Sequence, residues 1–120
     1  MAFDWREYLE VARFLQIQPG QKFTQEAALR CAVSRSYYAA FCHARNYAST
    51  RHQFAPKHRT EDHENLRKHF QHRGGVEVAR KLDQLRGWRN TCDYDDTVGD
   101  LSCICSKAIS RAAEILSQLL

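Results

Sequence analysis

The stretch from Gln25 to about residue 53 constrains the fold most, because its apolar residues repeat at helical spacing on two faces. One stripe comprises Leu29, Ala32, Val33, Tyr37, Ala40, Phe41, Ala44 and Ala48, and a second comprises Ala27, Cys31, Tyr38 and Cys42. A helix that is apolar on two sides packs against several neighbours. With Thr24 as its N-cap, a helix of roughly 30 residues would span about 45 Å. We therefore predict a central helix that sets the long dimension of the molecule.

The rest of the chain is also patterned for helices. Apolar residues at spacings of three and four predict helices over 4–16, 62–72, 76–91 and 98–119. A Pro-Gly turn is expected at 18–21, a loop at 55–61, and a helix end at Gly74-Gly75. Thr97 and Asp100 resemble a capping box for the last helix. Because no segment has the two-residue period of a strand, we predict a single all-α domain over 1–120, an antiparallel up-and-down bundle of four longer helices and one short helix.

Cysteines and hydropathy bear on the cellular environment. Four of the five cysteines, at 31, 42, 103 and 105, fall inside predicted helices, and the N-terminus lacks the pattern of a secretory signal. These features predict reduced, buried thiols in a cytoplasmic protein. No run of 18 apolar residues occurs, so no contact with a membrane is expected. The motifs predict neither a cofactor nor a metal site.

Positive charge is concentrated in the middle of the chain. The net charge is +4, and the segment from Arg45 to Lys81 holds nine Lys or Arg against four acids. A basic segment favours a polyanion or an acidic partner. An excess of this size is equally typical of a solvated polar face, so both interpretations stay open.

The sequence RGWRNTCDYDD, residues 86–96, places an arginine on an apolar face. Arg89 continues the row Val78, Leu82 and Leu85 at a spacing of four, and burying a guanidinium without a partner is costly. One interpretation pairs Arg89 with a following aspartate and pins the helix to the next loop. The other places Arg89 in a cleft or subunit interface, where it contacts a phosphate.

Two segments together resemble the HEPN family of small prokaryotic helical proteins. They are SRSYYAAFCHARNYA at 34–48, with a double tyrosine in a small-residue helix, and LRGWRNTCDYDD at 85–96. The resemblance extends from about Asp4 to Leu119. It implies a HEPN-like bundle that forms a homodimer, belongs to a toxin–antitoxin or defence module, and has RNA, a nucleotide or a nucleotidyltransferase-type protein as partner.

Catalytic HEPN proteins are metal-independent ribonucleases with an arginine, a polar residue and, five positions after the arginine, a histidine. Arg89 and Asn90 match the first two positions, and Tyr94 stands where the histidine is expected. Because a phenol with a pKa of about 10 is a poor proton shuttle near neutral pH, the resemblance implies binding without efficient cleavage. In some paired members a nearby tyrosine is nucleotidylated, which makes Tyr94 a candidate for modification. The alternatives are an active ribonuclease that uses Arg89 and Asn90, and a structural dimer or adaptor without a ligand.

Four further residues are candidate ligand contacts. Tyr38 lies on the second strip of the long helix, from which it is expected to reach toward Arg89. Arg35, one turn earlier, is a candidate anion contact, and Asp93 is a candidate partner for a cation. His43 is the histidine best placed to replace the one missing from the motif, although a lone histidine on a helix is more often a packing residue.

Overall fold

The computed structural model describes residues 2–17 and 22–120, and within these ranges the chain is all-helical with no strand. The helices are α1 (Glu7–Ile17), α2 (Gln25–His52), α3 (Glu61–His72), α4 (Val76–Tyr94) and α5 (Leu101–Gln118). They form a helical bundle of 44 × 30 × 24 Å. The turn predicted at 18–21 lies outside the described residues.

Helix α2 is the centre of the bundle, as predicted. It begins where Thr24 Oγ1 accepts the backbone N–H of Ala27 at 3.1 Å, and it packs against α1, α4 and α5 and more lightly against α3. All eight residues of the first predicted stripe are buried, and four of them are alanines with no exposed surface. Because alanine has a small side chain, α1, α4 and α5 can approach the α2 backbone closely and surround it.

The second strip of α2 is covered less completely than the first. Cys42 is buried, Ala27 and Tyr38 are partly exposed, and Cys31 is exposed. Tyr38 and Cys42 line an open cleft, whereas Ala27 and Cys31 line a small apolar pocket. The apolar residues of this strip therefore contribute to the core at Cys42 and Tyr38 and also form the walls of two open cavities.

Two predictions about buried thiols were also wrong. Cys31 and Cys103 are exposed, while Cys42, Cys92 and Cys105 are buried, and all five are free thiols. Burial raises the pKa of the Cys105 thiol to about 11. That thiol therefore stays protonated and packs as a small apolar group.

Helix boundaries differ from the prediction by three residues at three ends and by at most one residue elsewhere. Helix α1 begins three residues later and, with 11 residues, is as short as α3 with 12, so the bundle has three longer helices and two short ones. Helix α4 continues to Tyr94. Helix α5 begins at Leu101 after Asp100, which has a left-handed φ of 54° and makes no side-chain cap, so the capping box at Thr97 was wrong.

None of the helices in the described ranges combines the length and the apolar character needed to cross a bilayer.

Candidate functional site

An open cleft of about 450 Å³ lies between the start of α1, the middle of α2 and the end of α4. Its volume is within the range of ligand-binding cavities. Among the described residues, three arginines line it: Arg35, Arg45 and Arg89. Four aromatic residues line it as well: Trp5, Tyr8, Tyr38 and Phe41. We call this the arginine–aromatic cleft.

Each of these arginines lies against an aromatic ring. The guanidinium carbon of Arg35 is 4.9 Å from the ring centroid of Tyr8, and that of Arg45 is 5.8 Å from the ring of Trp5. These distances are within the range of cation–π contacts, which orient a guanidinium without neutralising it. The aromatic rings therefore hold the Arg35 and Arg45 side chains in position at the cleft and leave both guanidinium groups charged.

Arg35 and Arg45 have no carboxylate within ion-pair distance in the described part of the chain. The acid that lines the cleft, Asp93, is already engaged. Its Oδ2 lies 2.9 Å from Arg89 Nε and accepts a hydrogen bond of 3.3 Å from Ser34 Oγ. The cleft thus has an excess of positive charge, which favours an anionic ligand.

Arg89 pairs with an acid, but it does not pin its helix to the loop. Because α4 continues to Tyr94, Asp93 lies one turn after Arg89 on the same helix. Arg89 Nε is 2.9 Å from Asp93 Oδ2, so the two groups form an ion pair. The Nε–H does not point at the carboxylate in hydrogen-bond geometry. Arg89 Nη1 donates a hydrogen bond to Asn90 Oδ1 at 2.9 Å. Its guanidinium carbon lies 5.2 Å from the centroid of the Tyr38 ring.

Arg30 is the residue that holds the end of α4. Its guanidinium donates to the carbonyl oxygens of Cys92 at 3.0 Å, Asp95 at 2.6 Å and Asp96 at 3.0 Å. A cation that bonds the last carbonyls of a helix also interacts favourably with the helix dipole. Arg30 therefore performs the structural role that the sequence had suggested for Arg89.

The residues that match the HEPN motif are neighbours, although they do not share one cavity. The Tyr94 ring lies 5.6 Å from the Arg89 guanidinium carbon, but the residue is 72% exposed and does not line the cleft. Asn90 lies outside the cleft lining as well and contacts Arg89 directly. Of the predicted contacts, Arg35, Tyr38, Asp93 and Arg89 converge on the cleft.

His43 does not line the arginine–aromatic cleft. Its Nε2 lies 2.6 Å from the carbonyl oxygen of Leu119, and it lines a different cavity, beside the C-terminal residues. On α2 it follows Tyr38 by five residues, which turns it away from the face that carries Arg35 and Tyr38. His43 fastens the end of the chain to α2.

His63, which the sequence pattern did not single out, is the histidine close enough to Arg89 for their charges to interact. It stacks on Phe41 with ring centroids 4.3 Å apart, and its Nδ1 is hydrogen-bonded to the hydroxyl of buried Tyr37. Burial, followed by the charges of Arg86, Arg89 and Arg67, lowers the pKa of His63 to about 4. The signal in the sequence was its spacing of three and seven from the two apolar anchors of α3, Leu66 and Phe70.

The Tyr37–His63 hydrogen bond also fixes which nitrogen of the imidazole carries the proton. Burial raises the pKa of Tyr37, so its hydroxyl stays protonated and needs an acceptor, because an unpaired buried donor is costly. We therefore assign Tyr37 as the donor and His63 Nδ1 as the acceptor. The neutral imidazole then carries its proton on Nε2, as a hydrogen-bond donor.

Arg86 is a second residue that the pattern did not single out. It lies one turn before Arg89 on α4, and its buried Nε has no hydrogen-bond partner in the described structure. Its charge lowers the pKa of His63. Arg86 therefore adds to the positive field on the α3–α4 side of Phe41.

Within residues 2–17 and 22–120, no three His, Cys, Asp or Glu side chains converge as a metal site requires. The cleft lining offers guanidinium groups, aromatic faces, the Ser34 hydroxyl and the Asp93 carboxylate. Comparison of the chain with models of protein families, with curated proteins and with solved structures gave no match in any of the three.

Proposed function

We propose that this protein binds RNA or nucleotides in the arginine–aromatic cleft and does not cleave RNA efficiently. The observation that carries the proposal is the pair Arg35 and Arg45, two cations without a carboxylate partner that lie on aromatic rings at the cleft wall. Guanidinium groups bind phosphates, and aromatic faces stack with bases. A cleft that offers both groups suits a ligand that has both phosphates and bases.

Binding without efficient cleavage follows from the proton-transfer groups near the cleft. Metal-independent cleavage of RNA needs a side chain that exchanges a proton near neutral pH. His63 is neutral there, since its pKa is lowered to about 4, and its Nδ1 is occupied by Tyr37. Tyr94, at the position of the motif histidine, lies outside the cleft.

The resemblance to HEPN proteins adds a biological setting to this proposal. It implies a homodimer in a prokaryotic toxin–antitoxin or defence module, with a nucleotidyltransferase-type protein as a partner. The all-helical bundle is compatible with that setting. The cleft itself is formed by the side chains of a single chain, so ligand binding there does not require that setting.

Fluorescence anisotropy with a labelled single-stranded 12-nucleotide RNA tests the proposal. We expect saturable binding that weakens as salt rises, with a logarithmic slope of about −0.7 for each phosphate contact. Arg35→Gln and Tyr38→Ala should each weaken binding, whereas Tyr38→Phe should retain it, because stacking needs the ring and not the hydroxyl.

Arg80→Gln is the matched control for loss of one positive charge. Arg80 lies on α4 outside the cleft and forms an ion pair of 2.8 Å with Glu77, so its replacement should leave binding near the wild-type value. Equal losses for Arg80→Gln and Arg35→Gln would show non-specific attraction and would refute the cleft. Gel analysis of the same RNA reports any cleavage, and cleavage lost in Arg89→Ala would favour the ribonuclease alternative.

A further inference from the structure

A second cavity adjoins the arginine–aromatic cleft on the other side of Phe41. It has a volume of about 420 Å³ and lies between α2, the loop before α3 and the first turn of α3. Phe41 and Arg45 line both cavities. The two cavities therefore lie side by side, with Phe41 and Arg45 between them, and we call the pair of cavities the groove.

The loop before α3 is held in place by a buried carboxylate. Asp62 accepts the backbone N–H groups of Lys57 at 2.9 Å and His58 at 2.8 Å. Burial alone would raise the pKa of Asp62, but the backbone N–H groups of residues 57–59 lower it below its ordinary value. Because its oxygens are engaged in these bonds, Asp62 shapes the cavity and opposes an anion less than a free carboxylate would.

This tethered loop places cationic and donor groups at the rim of the second cavity. His58 has a left-handed φ of 58°, a conformation that costs free energy in a residue other than glycine and needs support from its surroundings. Arg59 follows it and is exposed, with a loose ion pair of 3.9 Å to Glu61. His63 adds a neutral imidazole whose free nitrogen, Nε2, carries a proton to donate.

We propose that this second cavity is a phosphate subsite, formed by Arg59, the His63 Nε2–H and Arg45, and that the groove holds a strand with at least two phosphates. The inference rests on the proposed function and specifies the ligand further: an oligonucleotide occupies both cavities, whereas a mononucleotide occupies the first. Arg45 lies between the two and contacts the strand where it crosses the boundary.

The charges along the groove agree with a strand. Four arginines, Arg35, Arg45, Arg59 and Arg89, line the two cavities, and the two acids that line them, Asp62 and Asp93, are engaged by backbone N–H groups and by Arg89. Single-stranded nucleic acids are held in this manner, by a positively charged groove with aromatic faces for the bases. The Phe41 ring, which is buried and stacked on His63, forms the floor between the two cavities, and the exposed aromatic faces lie in the first cavity.

Isothermal titration with uridine monophosphate and with a 12-nucleotide oligouridine RNA tests the subsite. We expect the oligonucleotide to bind at least about tenfold more tightly, and Arg59→Gln to weaken oligonucleotide binding about 3- to 10-fold, with the salt slope reduced by about 0.7. The same variant should leave uridine monophosphate binding unchanged. Arg35→Gln should weaken both ligands, because Arg35 lies in the first cavity.

His63→Gln provides a second variant for the subsite. The amide oxygen of glutamine can accept the hydrogen bond of the Tyr37 hydroxyl, so the variant can keep that contact. We expect weaker oligonucleotide binding, because the imidazole Nε2–H is removed, and unchanged mononucleotide binding.

The outcomes separate the two proposals. If both ligands bind and Arg59→Gln and His63→Gln affect neither, or affect both equally, the second subsite is refuted and the cleft remains. If neither ligand binds the wild-type protein, the proposed function fails and the subsite fails with it.

Discussion

His63 makes the stability of this protein depend on pH in a definite window. The fold lowers the pKa of its imidazole to about 4, so the folded state favours the neutral ring while the unfolded chain takes up a proton near pH 6.5. The unfolded state therefore binds more protons between these two values. The unfolding free energy is therefore unaffected by the titration of this histidine above about pH 6.5, and it decreases as the pH falls from 6.5 toward 4.

The size of the effect follows from the two pKa values. Between pH 7 and pH 5, linkage gives an upper value of about 1.8 kcal/mol for the loss of unfolding free energy due to this group. The imidazole is partly exposed, and solvent screening reduces the expected loss to about 1 kcal/mol. The lowered pKa of Asp62 makes the unfolding free energy depend on pH only near and below about pH 3.8. The change between pH 7 and pH 5 therefore reports His63 and not Asp62.

Urea denaturation of wild type and His63→Gln at pH 7 and pH 5 measures this contribution. Glutamine keeps an acceptor for Tyr37 but does not titrate, so the variant should lose about 1 kcal/mol less than wild type between the two pH values. His72→Gln, which changes an exposed histidine at the end of the same helix, should lose as much as wild type. An identical pH dependence in wild type and His63→Gln would refute the neutral, hydrogen-bonded state of His63.

Three further predictions concern packing and charge. Gly75→Ala should lower the unfolding free energy by about 1–3 kcal/mol in urea denaturation, because the added Cβ would lie 2.9 Å from a ring carbon of Phe70. Gly87→Ala should raise it by about 0.5–1 kcal/mol, because a Cβ there meets no atom within 4 Å. Equal effects of the two substitutions would contradict the packing at residue 75. Asp62→Ala should lower the unfolding free energy by about 1–3 kcal/mol, because the backbone N–H groups of two loop residues lose their acceptor. Residues 55–60 should then be cleaved faster in limited proteolysis. An unchanged cleavage rate would show that the loop does not need the carboxylate. Asp93→Asn should raise the affinity for single-stranded RNA about 2- to 5-fold at low salt, measured by anisotropy, because it removes the carboxylate that pairs with Arg89; weaker binding would mean that Asp93 positions this arginine for the ligand.

Periodicity predicted the centre of the fold well. The first stripe of α2 is buried in full, because a row of alanines and aliphatic residues at helical spacing leaves one face that must be covered. The second strip showed the limit of the same rule. Apolar spacing does not distinguish a helix interface from the wall of an open cavity, and Tyr38 lines a cavity.

The candidate site was predicted in part, because its residues come from contacts distant in sequence. Arg35, Tyr38 and Arg89 could be found from their positions on two helix faces, whereas Asp93 was found only as an acid that follows Arg89. The spacing of His63 from Leu66 and Phe70 places it on the inner face of α3, but its role depends on α3 folding back until its ring stacks on Phe41. A count of spacings along one helix does not contain that contact.

The length of α4 determines how the motif residues at its end are arranged. Because the helix continues to Tyr94, Asp93 follows Arg89 by four residues and shares its face, whereas Tyr94 follows by five and is rotated by about 140° from it. The carboxylate therefore pairs with the arginine at the cleft, while the tyrosine, 72% exposed, contacts Arg89 from outside. A ligand in the cleft approaches Arg89 beside Tyr38, and a molecule that contacts Tyr94 lies on the outer surface of α4. The two sides of Arg89 thus differ: Tyr94 lies on the exposed surface of α4, and the cleft side is completed by Ser34, Arg35 and Tyr38 of α2.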